Sequence, residues 1–180
     1  MLMVSLVALT LLVSRSFAQL HDIVSGNLVQ FDDNGIWTWY SDERTVVDTN
    51  GNKLVVGCVE NAAGLGGIVR DGDINVTIWD VQSGMGPRYI LHPHLISDGG
   101  GDDHNAPGLV AWPNGKYLAM YTGHNSDMLT LYRTFDPVTG VWAPEETNDW
   151  STQPGGDNFN TTYSNPWYMS AEGKTYDYSR

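Results

Sequence analysis

The sequence predicts an all-β protein, and three observations support this fold class. Short runs rich in β-branched and aromatic residues recur along the chain, with turn-forming residues between them. No long segment shows the 3.6-residue hydrophobic period of an amphipathic helix. The chain also has 20 Gly, 7 Trp and 9 Tyr in 180 residues, which is typical of a globular protein rich in turns. Disordered and collagen-like chains are excluded.

The strand pattern can be followed segment by segment. In 73–81, Ile74, Val76 and Ile78 alternate with polar residues, which predicts a strand buried on one face only. Asn, Asp, Gly and Pro between the segments favour tight turns, so consecutive strands are expected to pair as antiparallel hairpins. The predicted strands are Ile36 to Tyr40, Thr45 to Val47, Lys53 to Val59, Asp73 to Val81, Arg88 to Leu91, Gly108 to Trp112, Lys116 to Tyr121, Met128 to Phe135 and Lys174 to Tyr178.

Strands spaced in this way suit a sandwich, a barrel or a β-propeller. Residues 80–84, Asp-Val-Gln-Ser-Gly, are similar to residues 136–140, Asp-Pro-Val-Thr-Gly, and both follow a strand with an aromatic residue. The interval of 136 − 80 = 56 residues is close to the roughly 40 to 50 residues of one propeller blade, so residues 19–180 hold about three blades. Because a closed propeller needs at least about four blades, we expect either that the chain is the N-terminal part of a longer protein or that an unusual assembly closes the propeller.

The N-terminus resembles a secretory signal peptide covering residues 1–18. An apolar run at 4–13 precedes Ser16-Phe17-Ala18, which places small residues at the positions that a signal peptidase recognises. The run is much shorter than the roughly 20 residues that span a bilayer. We therefore predict a secreted protein that has no membrane attachment after cleavage.

Charge and cysteine content exclude several classes of protein. The chain has 9 Lys and Arg against 21 Asp and Glu, a net charge of −12, so it lacks the positive charge that drives binding to nucleic acids. Its single cysteine, Cys58, provides neither an internal disulfide nor a CxxC metal site. Stability is expected to come from packing.

Two His-Asn pairs are the strongest candidates for chemistry. His104 lies in the glycine-rich, acidic segment 98–107, and His124 follows a predicted hairpin that would return it to His104. One imidazole would act as a general base and the other as a hydrogen-bond donor to a carboxylate. The alternative is that both are surface histidines without a catalytic role.

A second group of candidates lies near the C-terminus. The phenol of Tyr163 can donate or accept a proton, and the guanidinium of Arg180 can hold a carboxylate with two hydrogen bonds. The alternative is that the tyrosines of this segment only fill the core.

The acidic residues offer two segments that could bind calcium. The aspartates at 98, 102 and 103 are candidate calcium ligands, whereas the segment 48–52 is not followed by the glutamate that closes an EF-hand loop.

Five segments together resemble a known family. Residues 35–48, 53–57, 72–76, 102–107 and 121–125 are similar, in this order, to the BNR-repeat propeller family, which includes secreted lyases that cleave ulvan and related rhamnose-uronate polysaccharides. The resemblance covers about residues 24–180. It implies a seven-bladed β-propeller of which about half is absent from this chain.

The resemblance also implies a reaction and the residues that perform it. Lyases of this family cut the chain by β-elimination: a base removes the C5 proton of the uronate, a cation neutralises its carboxylate and an acid protonates the departing O4. The chemistry requires no cofactor, and a structural calcium or zinc ion is left open. The residues matched to catalysis are His104, His124, Tyr163 and Arg180, those assigned to substrate binding are Asn105, Asn125 and Arg44, and no residue is assigned to a metal.

Two other functions remain alternatives. One is a sialidase-like glycoside hydrolase in which Arg44 binds the carboxylate and an aspartate is the acid. The other is a carbohydrate-binding propeller without catalytic activity, because a fold does not determine a function. The expected partner is an acidic polysaccharide; the oligomeric state is left open.

Overall fold

The computed structural model describes residues 29–36, 44–97, 100–152 and 160–179. Contacts between residues divide the chain into two units, Met1–Gln30 and Phe31–Arg180, and the fold described below belongs to the second unit. The predicted signal peptide, most of the predicted strand Ile36 to Tyr40 and the candidate residue Arg180 lie outside the described residues.

The predicted all-β class is confirmed. The described residues form antiparallel sheets and three short 3₁₀ helices, Gly67–Arg70, Asp103–Asn105 and Trp150–Thr152, and they contain no α-helix. No helix in this part of the chain is long and apolar enough to cross a membrane. The strands are β1 (Thr45–Asp48), β2 (Lys53–Val59), β3 (Ile74–Asp80), β4 (Arg88–His92), β5 (Ile96–Ser97), β6 (Gly100–Gly101), β7 (Gly108–Ala111), β8 (Tyr117–Tyr121), β9 (Leu129–Asp136), β10 (Val141–Trp142), β11 (Glu146–Asp149), β12 (Asn165–Met169) and β13 (Lys174–Tyr178).

The first large sheet has its strands in chain order, β1-β2-β3-β4, and every neighbouring pair is antiparallel. Its first turn shows why consecutive strands pair. Asp48 Oδ1 accepts hydrogen bonds from the backbone N–H groups of Asn50 and Gly51, and Asn52 adopts a positive φ of 54°. Asp and Asn tolerate and stabilise such turn conformations, as the sequence predicted.

The second large sheet has the order β10-β9-β8-β7, and β11 pairs with the other end of β9. A third sheet consists of β12 and β13, and a small one of β5 and β6. The first strands of the three main sheets meet, because β7 contacts both β1 and β12. The beginnings of β1, β7 and β12 are therefore close together, and this arrangement positions the candidate site.

The hydrophobic core lies between the two large sheets. The first sheet contributes aliphatic side chains, and the second contributes aromatic ones that pack on each other, with Tyr117 and Phe135 stacked at 5.8 Å between ring centroids. Stacked and tilted aromatic pairs add to the free energy gained from burial. The buried core residues are Val55, Val59, Ile74, Val76, Ile78, Leu91, Ala106, Leu109, Tyr117, Ala119, Tyr121, Leu131, Phe135 and Trp142.

The prediction that the 73–81 strand is buried on one face only is wrong. Ile74 is buried, as expected, but Asn75 and Thr77 on the opposite face are buried too. Their polar groups have partners: Asn75 Nδ2 donates to Glu60 Oε1 at 2.7 Å, and Thr77 Oγ1 donates to the Phe31 carbonyl at 3.1 Å. A buried polar side chain is tolerated when its hydrogen bonds are satisfied. For this reason the polar residues that alternate along β3 do not mark a face exposed to solvent.

Gly108 marks a close approach between β7 and β12. A Cβ at this position would clash with the ring of Pro166, and it would lie 2.6 Å from the Ser164 carbonyl oxygen and 2.8 Å from Arg44 Nη1. We expect Gly108→Ala to lower the free energy of unfolding by about 1–3 kcal/mol, because a well-packed interior resists added atoms. Urea denaturation measures this change.

The control is Gly35→Ala, whose Cβ would meet only Cys58 at the ordinary distance of 3.4 Å. If the Gly108 variant were as stable as this control, the close approach of β7 and β12 would be contradicted.

Candidate functional site

One hairpin positions the two candidate histidines. β7 and β8 pair so that Gly108 is opposite Met120. Continuing four residues past the paired ends leads to His104 on one side and to His124 on the other. The two imidazoles lie side by side, with ring centroids 4.2 Å apart. The expected proximity of the two histidines therefore follows from the register of the hairpin.

Tyr163 reaches the histidines from the segment that precedes β12. Two backbone groups tie this segment to the loop after β8: the N–H of Asn125 donates to the Thr161 carbonyl at 3.1 Å, and Thr161 N–H donates to the Asp127 carbonyl at 2.6 Å. The Tyr163 ring lies 4.9 Å from that of His104 and 5.9 Å from that of His124, measured between centroids. Three of the four residues matched to catalysis are thus in contact.

Tyr163 has a strained backbone. Its φ of 59° is a left-handed conformation that costs a large side chain about 1–2 kcal/mol, whereas Asn125, with φ 53°, is of a residue type that tolerates this conformation. The surrounding chain holds Tyr163 in place, because Asn165 Nδ2 donates to its carbonyl at 2.9 Å. Strained residues of this kind cluster at functional sites, where neighbouring structure compensates for their cost.

A carboxylate that the sequence assigned to no catalytic role lies at the centre of the cluster. Asp102 Oδ1 is 2.5 Å from His104 Nδ1, and Asp102 Oδ2 is 2.9 Å from His124 Nδ1. Asp102 Oδ1 also accepts the backbone N–H of His104 at 2.9 Å. The only signal in the sequence was the spacing of an aspartate two residues before a histidine, which is too common to be specific.

The environment of Asp102 favours its ionised form. Burial has the largest single effect and raises the pKa of this carboxyl. Hydrogen bonds from the His124 side chain and from the backbone and side chain of His104 together outweigh burial, so the pKa of Asp102 lies below its usual value. The three side chains are partly buried, with 23% of Asp102, 17% of His104 and 31% of His124 exposed.

The residues predicted to bind substrate occupy three different environments. Asn105 is fully buried, and its Oδ1 accepts the backbone N–H of His124 at 2.7 Å, so its observed role is to support the histidine loop. Asn125 is exposed beside His124. Arg44 donates from Nη1 to the Ser164 carbonyl at 2.7 Å, next to Tyr163, and from Nη2 to Asn165 Oδ1 at 3.4 Å, so both ends of its guanidinium contact the protein. Substrate contacts by these residues stay predictions.

Asp102, His104 and His124 have side chains of the kinds that bind metal ions. Each offers a ligand atom, and these atoms lie within 4.8 Å of one another. Two nitrogen or oxygen ligands of one zinc ion, at bond lengths of about 2.0–2.1 Å in tetrahedral geometry, would be ~3.3 Å apart. The separations of 2.5 and 2.9 Å between Asp102 and the two Nδ1 atoms are instead those of charge-assisted hydrogen bonds. The donor geometry fits protons between these atoms better than a cation.

A cavity of about 310 Å³ lies next to the cluster, where β1, β7 and β12 begin. Its lining includes Arg44, Gly108, Asn165 and the half-exposed indole of Trp167. The histidines and Tyr163 are not among its lining residues. The cavity therefore lies beside the catalytic candidates: Asn165 lines it, and Tyr163, two residues earlier in the chain, belongs to the cluster.

Comparisons of this chain with protein-family models, with curated proteins and with solved structures find no match.

Proposed function

We propose that this protein is a secreted, polysaccharide lyase-like protein that cleaves a uronate-containing, ulvan-like polysaccharide by β-elimination. The observation that carries the proposal is the contact of two imidazoles and one phenol, all within 5.9 Å between ring centroids, with one carboxylate bound to both imidazoles. These residues are far apart in sequence, and their convergence provides both a base and an acid at one place.

The fold that we propose for this function is a β-propeller. In each large sheet, strands that follow each other in the chain lie next to each other. The exception is β11, which pairs with β9 beside β10. The first strands of the three main sheets also lie next to each other, with β7 between β1 and β12. Sheets whose first strands lie side by side suit a radial arrangement of blades, and His104 and Tyr163 each precede one of these strands.

The chemistry assigns a task to each type of group. Nε2 of one imidazole removes the proton from C5 of the uronate, and the electron pair of that C–H bond forms the C4–C5 double bond. The C4–O4 bond breaks, and O4 takes a proton from the Tyr163 hydroxyl, or from Nε2 of the second imidazole when that ring starts in its protonated form. Proton transfer by such positioned groups typically contributes 10²–10⁴-fold to the rate.

The uronate carboxylate must be neutralised as negative charge develops at C5. Arg180 is proposed for this task by resemblance to the family; it lies outside the described residues. The net charge of −12 does not oppose an anionic substrate, because the lining of a cleft determines the local potential. Cleavage after Ala18 would deliver the enzyme to such a substrate outside the cell.

The product of the reaction tests this proposal directly. We expect the protein expressed from its complete reading frame to release oligosaccharides from ulvan that absorb in the ultraviolet, because elimination creates a double bond conjugated with the carboxylate. Reducing ends without this absorbance would indicate hydrolysis, and binding without new reducing ends would indicate a carbohydrate-binding propeller. Either result would overturn the lyase proposal.

A further inference from the structure

Asp102 connects the two histidines through their equivalent atoms. Each of its two oxygens faces the Nδ1 atom of a different imidazole, at 2.5 Å for His104 and at 2.9 Å for His124. The rings are 4.2 Å apart and inclined by 51°. A single carboxylate therefore sets the orientation of both rings, which is a more specific arrangement than two neighbouring histidines require.

The chemistry of the groups determines where the protons are. An ionised aspartate only accepts hydrogen bonds, so each Nδ1 that faces it must carry a hydrogen. In a neutral imidazole the other nitrogen, Nε2, then has the free lone pair. Asp103 reinforces this at His104, since its Oδ1 lies 3.3 Å from the same Nδ1.

From this geometry we infer that Asp102 is a positioning residue that fixes His104 and His124 in the same Nδ1–H tautomer and makes their Nε2 atoms the ones that meet the substrate. The assignment of the Nε2 atoms to substrate rests on the proposed function; the tautomers do not. An imidazole held in this way is a base as it stands. If it gains a proton at Nε2, Asp102 balances the positive charge, so the same pair also provides a donor to the uronate carboxylate.

The surroundings add a second constraint on His124. Its backbone N–H is held by Asn105 Oδ1, and Asn105 is itself fixed by Nδ2 donating to the Leu95 carbonyl at 3.0 Å and by accepting from Ser97 Oγ at 3.2 Å. Among the described residues, the titratable groups that face the pair are Asp102, Asp103 and Tyr163. With the loop fixed by Asn105 and the ring by Asp102, His124 has little freedom to turn.

Imidazole ¹⁵N spectra of the intact protein test the inference without any substrate. We expect wild-type His104 and His124 both to show a protonated Nδ1 and an unprotonated Nε2 at a pH where they are neutral. In Asp102→Asn, the amide oxygen accepts from one Nδ1–H while the amide NH₂ faces the other Nδ1 as a donor. One histidine should therefore keep its tautomer and the other should change to Nε2–H.

Asp127→Asn is the matched control. Asp127 accepts the backbone N–H of Leu129 in the neighbouring loop, and an amide oxygen preserves that hydrogen bond. Both tautomers should be unchanged in this variant. Wild-type histidines with the proton on Nε2, or tautomers that Asp102→Asn leaves unaltered, would overturn the inference.

Kinetics separate this inference from the proposed function. We expect Asp102→Asn to lower kcat about 10–100-fold with little change in KM, as outer partners of reactive groups commonly do. Loss of the common tautomer without loss of elimination would refute the positioning role and leave the lyase proposal standing. Nδ1–H tautomers in a protein that forms no unsaturated product would refute the lyase proposal and leave the tautomer assignment standing.

Discussion

Replacing Tyr163 with Phe is expected to lower kcat for elimination by a factor of about 10²–10⁴, because the acid or base that the hydroxyl provides is lost. The substitution keeps the ring, so the contact at 4.9 Å with His104 and the packing around it should persist. The measurement is the initial rate of ultraviolet absorbance on ulvan, with kcat and KM determined separately.

Tyr168→Phe is the control for this variant. Tyr168 is half-buried on β12, five residues from Tyr163, and it is not part of the cluster. It should retain wild-type activity. A Tyr163→Phe enzyme with the activity of this control would remove Tyr163 from the reaction.

His104→Ala should cause a loss of the same order, and His94→Ala provides its control. His94 is exposed and its Nδ1 contacts the Asp71 carbonyl at 2.9 Å, away from the cluster. Equal rates in the two histidine variants would contradict a catalytic role for His104.

Glu60→Gln is expected to lower the free energy of unfolding by about 3–5 kcal/mol, the usual cost of removing one partner from a buried ion pair. Glu60 is fully buried and binds two cations: Arg70 through Nε and Nη2, and Arg88 through Nη1 at 2.8 Å. It also accepts a hydrogen bond from Asn75 at 2.7 Å. A neutral amide would remove the fully buried carboxylate that contacts both guanidinium groups, and of the residues that the structure describes only Asp32 and Asp33 would then balance their charge.

Urea denaturation tests this expectation, with the slope m as a check that the unfolded state is unchanged. The control is Glu172→Gln, since Glu172 is exposed and its carboxylate accepts a hydrogen bond from the Tyr176 hydroxyl at 2.5 Å. Exposed pairs contribute about 0–1 kcal/mol. A Glu60 variant that is destabilised no more than this control would show that the buried network does not determine stability.

The sequence predicted most of the strands because their hydrophobic residues alternate or form short runs between clear turns. It did not predict β11, whose residues Glu146–Asp149 are polar and join the sheet only by pairing with β9. It also did not predict β12, where Pro166 follows Asn165 and breaks the usual pattern. β11 forms by pairing with β9 across the intervening β10, and local sequence carries little information about such pairing. β12 pairs with β13, the next strand in the chain, so its proline and not a distant partner hides it in the sequence.

The candidate site was predicted in part. Hairpin pairing was enough to bring His104 and His124 together, whereas Tyr163 came from the family resemblance, because many tyrosines surround it in the sequence. Asp102 was considered only for calcium, since its contact with two Nδ1 atoms at once depends on the fold. The burial of Asn105 could not be predicted either, because it depends on contacts with Leu95 and His124 in three dimensions.

In the hairpin that positions the two histidines, the register of the strands is constrained, whereas the sequence of the connecting turn is not. The tight connection at residues 113–115 lies at one end of β7 and β8, and the imidazoles lie beyond the other end. A slip of one residue between these strands would turn every side chain of the moved strand to the opposite face. The length and sequence of the connection at 113–115 can therefore change during evolution, provided that the register of β7 and β8, which brings His104 and His124 together, is kept.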